Sequence, residues 1–406
     1  MQNVSDMNEP KFPGKNASGD YVIEAHGELA AVPADEWDAL LARQTAPTPF
    51  MRHAFLSALH ASGSACSDTG WTPLLFTLRD DTAGLQAAAL LYLKPHSYGE
   101  YVFDWAWAEA YARHGLDYYP KAVVAVPFTP VPGSRILATS DDARTALLRA
   151  LVHWSREQGL SSLHLLLGSD DDLQAARAAG LMLRDGVQFH WHNRRDRPYA
   201  DFDDFLGALS HDKRKKIRQE RRKVAEAGVT FRCLAGGAIT TANWDFFYRC
   251  YEQTYLEHGN APYLSRDFFA RVARDLAPHW VMFVAEREGR AIAASLIGIA
   301  HGPAGPAVAY GRYWGALESV SCLHFDACYY QPIAWCIAHG VQRFEGGAQG
   351  EHKMARALLP APTASAHWLA HPAFAEAVGD FLARESHSMA HYVEQLRQRS
   401  PLRQSD

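Results

Sequence analysis

Glu345 closes a short stretch expected to be a buried strand, and His324 stands at the entrance of the helix that precedes it. A carboxylate or imidazole titrating near neutrality can serve as a general base, taking a proton from a nucleophile as it attacks. Desolvation at a strand end raises a carboxyl's pKa towards that range, so Glu345 is the first candidate base and His324 the second. The competing reading is structural: Glu345 in an ion pair with Arg312 or Lys353, and His324 as a helix cap.

Around this pair lie residues suited to holding a substrate. Gly346 and Gly347, with Gly350 beyond, allow close backbone approach. Gln349, His352 and Lys353 make the same exit polar, and the ammonium of Lys353 can bind a carboxylate or phosphate as a point charge. Tyr310 and Arg312 alternate along an expected strand and so share one face. An arginine on a central strand is costly unless it meets an anion. A second group is the run Lys213 to Lys223, with eight basic residues against Glu220 alone. Lys213, Arg214, Lys216 and Arg218 lead it. A charge run is usually a solvated helix face; a single-signed one in an acidic chain points to an anionic partner. The candidates are substrate phosphates, tRNA, or the anionic surface of a membrane. No aromatics interleave the run, so base readout is not expected.

The elements that must position these groups follow from the pattern of Ala307 to Pro360: strand, turn, helix, strand and glycine-rich exit. Short connections make the two strands parallel neighbours, and ligands of such units bind at the strands' carboxyl ends. The first half of the chain carries the same order. Trp154 and Gly159 are spaced as Trp335 and Gly340 are, and Leu163-His164 then stands opposite Phe344-Glu345. We read a duplication: a tail over residues 1–19, an N-terminal domain over 20–200, and a C-terminal domain over 201–406. The latter holds the basic helix (209–227) and a long final helix from Pro372. In the first half Glu100, Asp104, Lys121 and Arg135 are candidates for a second pocket, within a copy read mainly as degenerate packing.

Composition excludes several classes. The chain has 406 residues, 48% hydrophobic and 21% charged, with net charge −5. These values describe a globular protein without global attraction to nucleic acid. The longest apolar run, Ala291 to Ala300, is half of what a spanning helix needs. Six scattered cysteines form no C-x-x-C, and no apolar leader follows Met1, so a reduced, cytoplasmic protein is expected. No metal motif, nucleophile elbow, P-loop or dinucleotide fingerprint is present.

The words L-S-H-D-K-R-K-K-I-R-Q-E-R-R-K (Leu209 to Lys223), H-F-D-A-C-Y-Y (His324 to Tyr330), F-E-G-G-A-Q-G-E-H-K (Phe344 to Lys353) and S-A-H-W (Ser365 to Trp368) resemble the FemAB-like group of N-acyltransferases. G-E-Y-V-F-D-W, Y-Y-P-K and P-F-T-P in the first half extend the likeness over about residues 20 to 395. The resemblance implies an α/β (α+β) chain of tandem GNAT-like domains, with mixed central sheets flanked by helices. It implies transfer of an acyl or aminoacyl group to an amine, often in a cell-wall precursor. Acyl-CoA or aminoacyl-tRNA would be the co-substrate, with no tightly bound cofactor. Acetyl-CoA-using relatives have a glycine-paired turn after the central strand; here it reads G-A-L-E-S-V-S-C-L-H, with Gly315 but no pair. The alternative is a non-catalytic module that binds an anionic cell-wall precursor in the same groove.

Overall fold

The computed structural model describes residues 12–16, 19–82, 84–302, 305–347 and 350–403. The chain forms two compact units. The first runs through Gly186 and takes in Thr363–Ser388; the second holds Val187–Pro362 and the chain from Met389. The strands in chain order are β1 (Phe12–Asn16), β2 (Gly19–His26), β3 (Thr72–Arg79), β4 (Leu85–Lys94), β5 (Lys121–Val124), β6 (Ile136–Ala138), β7 (Ser162–Leu165) and β8 (Met182–His192). They continue as β9 (Val229–Ala235), β10 (Trp280–Arg287), β11 (Arg290–Gly302), β12 (Gly305–Ala316), β13 (Arg343–Glu345) and β14 (Leu359–Leu369). The rest of the expected tail over residues 1–19 lies outside the described residues.

In the first unit the strands run β1-β2-β3-β4-β5-β7 and end on the second half of β14, with β6 on β4. In the second unit they run β9-β10-β11-β12-β13 and end on the second half of β8. Within each unit the pairing is antiparallel except at one step, β5 with β7 and β12 with β13, where it is parallel. Helices cover the apolar faces. Asp141–Glu157 packs Leu147, Leu148, Leu151 and Trp154 on the first sheet, with Trp154 edge-on to Phe76 at 5.2 Å. Each such side chain contributes about 1.5–3 kcal/mol by leaving water. Ser140 caps that helix by accepting from the Ala143 N–H. In the second unit Ile333, Cys336, Ile337 and Phe344 belong to the equivalent core. The β10–β11 hairpin turns at Glu288 and Gly289, both at positive φ, as a tight two-residue turn requires.

The duplication extends to single residues. Gly159 and Gly340 end their helices at φ 67° and 68°, and each following residue donates to the carbonyl five back. Leu163 then pairs with Ala122 as Phe344 pairs with Ala309, and His164 with Val123 as Glu345 with Tyr310. The last strand repeats too. His367-Trp368 lies against His164 and Leu163, and His190-Trp191 against Glu345 and Phe344. Each unit therefore takes its last strand from the sequence half that supplies the other.

Candidate active site

Glu345 sits where two parallel strands part. The β12–β13 ladder ends at the Tyr310–Glu345 pair, while β12 continues to Ala316. The carboxyl is 3% exposed. Its Oε1 accepts from Arg343 at 3.0 Å, and its Oε2 has no hydrogen-bond partner among the described residues. Burial, opposed by Arg343, pushes the carboxyl up to about 7. The ion-pair partner is thus Arg343, not Arg312 or Lys353, because residues two apart on a strand share a face. Across the antiparallel neighbour, His190 Nε2 stands 3.8 Å from Oε2. Burial, then Arg343, His192 and Lys353, hold that imidazole down to about 3, so it is neutral at physiological pH.

Tyr310 is buried beside Glu345, and burial followed by that carboxyl raises its phenol well above the ordinary value. Arg312 does not share its face in the expected way. The β11 register steps from Tyr313 to Gly311 across a bulge, which breaks the alternation at Arg312. The Arg312 guanidinium instead covers the Tyr313 ring at 4.8 Å. Gly346 donates its N–H to the Phe189 carbonyl at 3.2 Å, and a Cβ there would meet Leu358 at 2.3 Å. Gly347 lies at φ 80°. Gln349 lies outside the described residues.

A second cluster adjoins the glycines. Lys353, buried and lowered to about 8 by desolvation, donates to the Gly347 carbonyl at 2.9 Å. His352 Nε2 lies 3.4 Å from the Tyr329 hydroxyl. His324, exposed at its outer edge, sits among the rings of Trp314, Phe325 and Tyr329. Desolvation by that shell, then His352, Arg356 and Lys353, lowers its imidazole to about 4. Among the described residues no hydrogen bond or ion pair joins His324 to Glu345; Lys353 is the group whose charge acts on both His324 and His190.

Arg356 fastens this segment to the basic helix, His211–Glu226. It donates to the His352 carbonyl at 2.8 Å and to both oxygens of Glu220 at 3.1 Å, and it stacks on Phe325 at 3.6 Å. Tyr330 donates to Glu220 as well. Of the basic residues, Lys213 and Arg214 are half-buried while Lys216 and Arg218 are exposed.

Gly315 serves packing rather than a ligand. A Cβ there would lie 1.9 Å from the Cys250 carbonyl oxygen, so the backbone of the helix Thr241–Glu257 occupies that place. The turn that follows contains no glycine, and Cys322 enters the next helix at φ 66°.

At the matching place the first unit holds His164, bonded to Ser162 at 2.8 Å, Tyr118 at 3.0 Å and His367 at 2.8 Å. Beside it Lys121, fully buried, donates to Glu100 at 2.8 Å, Ser97 at 2.7 Å and Asp104. Arg135 stands apart from this cluster and donates to the backbone carbonyls of Leu166, Gly133 and Val131.

Sequence reasoning missed His190 and Arg343. The first was signalled by the His-Trp pair that recurs at His367-Trp368, the second by the period-two spacing of Arg343-Phe344-Glu345.

Two units of this strand pattern, each with one parallel step and flanking helices, define a tandem GNAT-like acyltransferase fold. The sequence matches the FemAB-like family, described as peptidoglycan biosynthesis and recognition, over residues 28–404, and the chain belongs to that family. It is accordingly an acyltransferase in the general sense. No curated protein matches it. It is similar to the C-terminal domain of a putative lysylphosphatidylglycerol synthetase from Agrobacterium fabrum, at 11% identity, TM-score 0.51, covering 85% of this chain and 94% of that one. It is also similar to L-PGS from Bacillus licheniformis, at 11% identity, TM-score 0.50, covering 86% and 97%. A tandem GNAT protein from the clavulanic acid biosynthesis pathway matches at 12% identity and TM-score 0.44, covering 87% and 99%. Likeness at this identity is one of fold. Among the described residues no helix is long and apolar enough to cross a membrane.

Proposed function

We propose that the protein is a cytoplasmic N-acyltransferase that moves an acyl or aminoacyl group from an activated donor to an amine of a cell-wall precursor, with Glu345 as the base. The observation that carries this reading is the buried Glu345 carboxyl, raised to about 7, with its Oε2 unpartnered among the described residues where β12 and β13 part. The amine nitrogen attacks the carbonyl carbon, Glu345 takes the nitrogen's proton, and the C–O or C–S bond to the leaving group breaks. The proton held on Glu345 then passes to the departing oxygen or sulfur. Backbone N–H groups near Tyr310 and Gly311 would face the carbonyl oxygen as negative charge develops.

The donor is an aminoacyl-tRNA or an acyl-CoA. The filled place at Gly315 and the glycine-free turn after it weigh for the tRNA ester. The basic helix, with Lys213, Arg214, Lys216 and Arg218, is suited to its phosphates. Arg312, Gly346, Gly347, Gln349, His352 and Lys353 would hold the acceptor, and His324, kept neutral, is the second proton carrier.

The test is transfer to a cell-wall precursor from each donor, read by product mass. Glu345→Gln is expected to lower the rate by about 10²–10⁴-fold. An undiminished rate removes the role assigned to Glu345.

A further inference from the structure

The basic helix has a second side, of which the assignment above uses only Arg218. Arg218, Arg221 and Arg222 are spaced so that they fall on one side of the helix. All three line a cleft of about 570 Å³ together with Phe231, Asp326 and Gln331. That volume lies within the range of small-molecule sites, roughly 300–1,000 Å³.

The charge of this cleft is not balanced from within. Glu220, the acid inside the basic run, spends both oxygens on Arg356 and Tyr330. Arg218 approaches the exposed Asp203 only at 3.8 Å, and Arg221 approaches Asp326 only at 3.8 Å. Charge-assisted hydrogen bonds close to about 2.7–2.9 Å, so both guanidiniums keep donors in reserve. Arg222 makes no hydrogen bond or ion pair among the described residues. Asp326 is 3% exposed and already accepts from Gln331 at 2.9 Å. Three cations therefore face two carboxylates, one of them at the rim.

The residue type is informative. A guanidinium fork matches two oxygens of a phosphate, and a solvated helix face needs no such geometry. Phe231 in the lining offers apolar contact to whatever carries the phosphate.

We propose that this cleft binds the phosphate or diphosphate of a small phosphorylated ligand through Arg218, Arg221 and Arg222. The inference rests on the reading of the basic helix as a phosphate-binding element, but not on the role of Glu345. The occupant would be coupled to the transfer site. Asp326 begins the π-turn Asp326–Tyr330, whose Tyr329 reaches His352 and whose Tyr330 reaches Glu220. Such turns recur at functional sites.

The test is titration of the full chain with inorganic pyrophosphate at fixed ionic strength, followed by calorimetry. Saturable binding is expected. The Arg221→Ala, Arg222→Ala double variant should weaken it by roughly tenfold or more per arginine, the loss of one charge-assisted bond each. Arg221→Lys should weaken it less than Arg221→Ala. Lys213→Ala with Lys216→Ala should leave it within about threefold, since neither residue lines the cleft. Glu345→Gln should bind pyrophosphate as the parent does, so failed transfer and a failed cleft are separate results. Absence of saturable binding overturns the proposal, as does binding that the arginine pair leaves unchanged. Attachment to phosphatidylglycerol vesicles that depends on Lys213 and Lys216 but not on Arg221 and Arg222, without pyrophosphate binding, also overturns it in favour of a membrane-facing surface.

Discussion

His190 Nε2 and Glu345 Oε2 face each other across neighbouring strands at 3.8 Å, beyond hydrogen-bond reach. With the imidazole held neutral and the carboxyl raised to about 7, no ion pair binds them at neutral pH. The carboxyl is fixed on one side by Arg343, and its other oxygen has no hydrogen-bond partner among the described residues. That division of labour is what a general base in a buried site requires.

Arg343 lowers the pKa that burial raises. Arg343→Ala should therefore shift the acid limb of the rate–pH profile upward from about 7, leaving less of the base ionised at neutral pH. An acid limb that stays in place would show that the two groups are not coupled.

The same titration sets a stability slope. A carboxyl with a folded pKa of about 7 against 4.5 binds more protons folded than unfolded, so stability falls as pH rises through that interval. His190 has the opposite sign: its folded value of about 3 costs stability as pH falls below 6.5. Comparing Glu345→Gln with the parent isolates the first effect. The variant is expected to gain up to roughly 3 kcal/mol relative to the parent between pH 4.5 and pH 7. Urea melts at the two pH values measure it, and parallel curves would exclude the raised carboxyl.

Gly315→Ala should destabilise the fold by about 1–3 kcal/mol or more, because the new Cβ would lie 1.9 Å from the Cys250 carbonyl oxygen. A shift in denaturant midpoint checks this. An unshifted midpoint with weakened donor binding would return Gly315 to a ligand role.

In the first unit Lys121→Met should cost about 3–5 kcal/mol, since it leaves Glu100 and Asp104 buried without their cation. Equilibrium unfolding reads the loss, and neutrality would mean that the carboxyls are protonated or rearrange.

The parallel pair β12 and β13, the hairpin at Glu288-Gly289 and the doubled architecture were legible because each rests on local periodicity and turn chemistry. Glu345 was legible as a strand-end carboxyl for the same reason. The strand carrying His190 was not placed beside it, because pairing between distant segments leaves little local trace. The bulge at Arg312 and the helix backbone against Gly315 depend on packing from other elements, and a one-residue register step turns side chains to new faces.

The most direct measurement is a carbon-13 titration of the glutamate side-chain carboxyls, with Glu345 assigned by its loss in Glu345→Gln. A midpoint near 7 is expected for the base at the parting of β12 and β13. A midpoint near the ordinary 4.5 would contradict the role given to it.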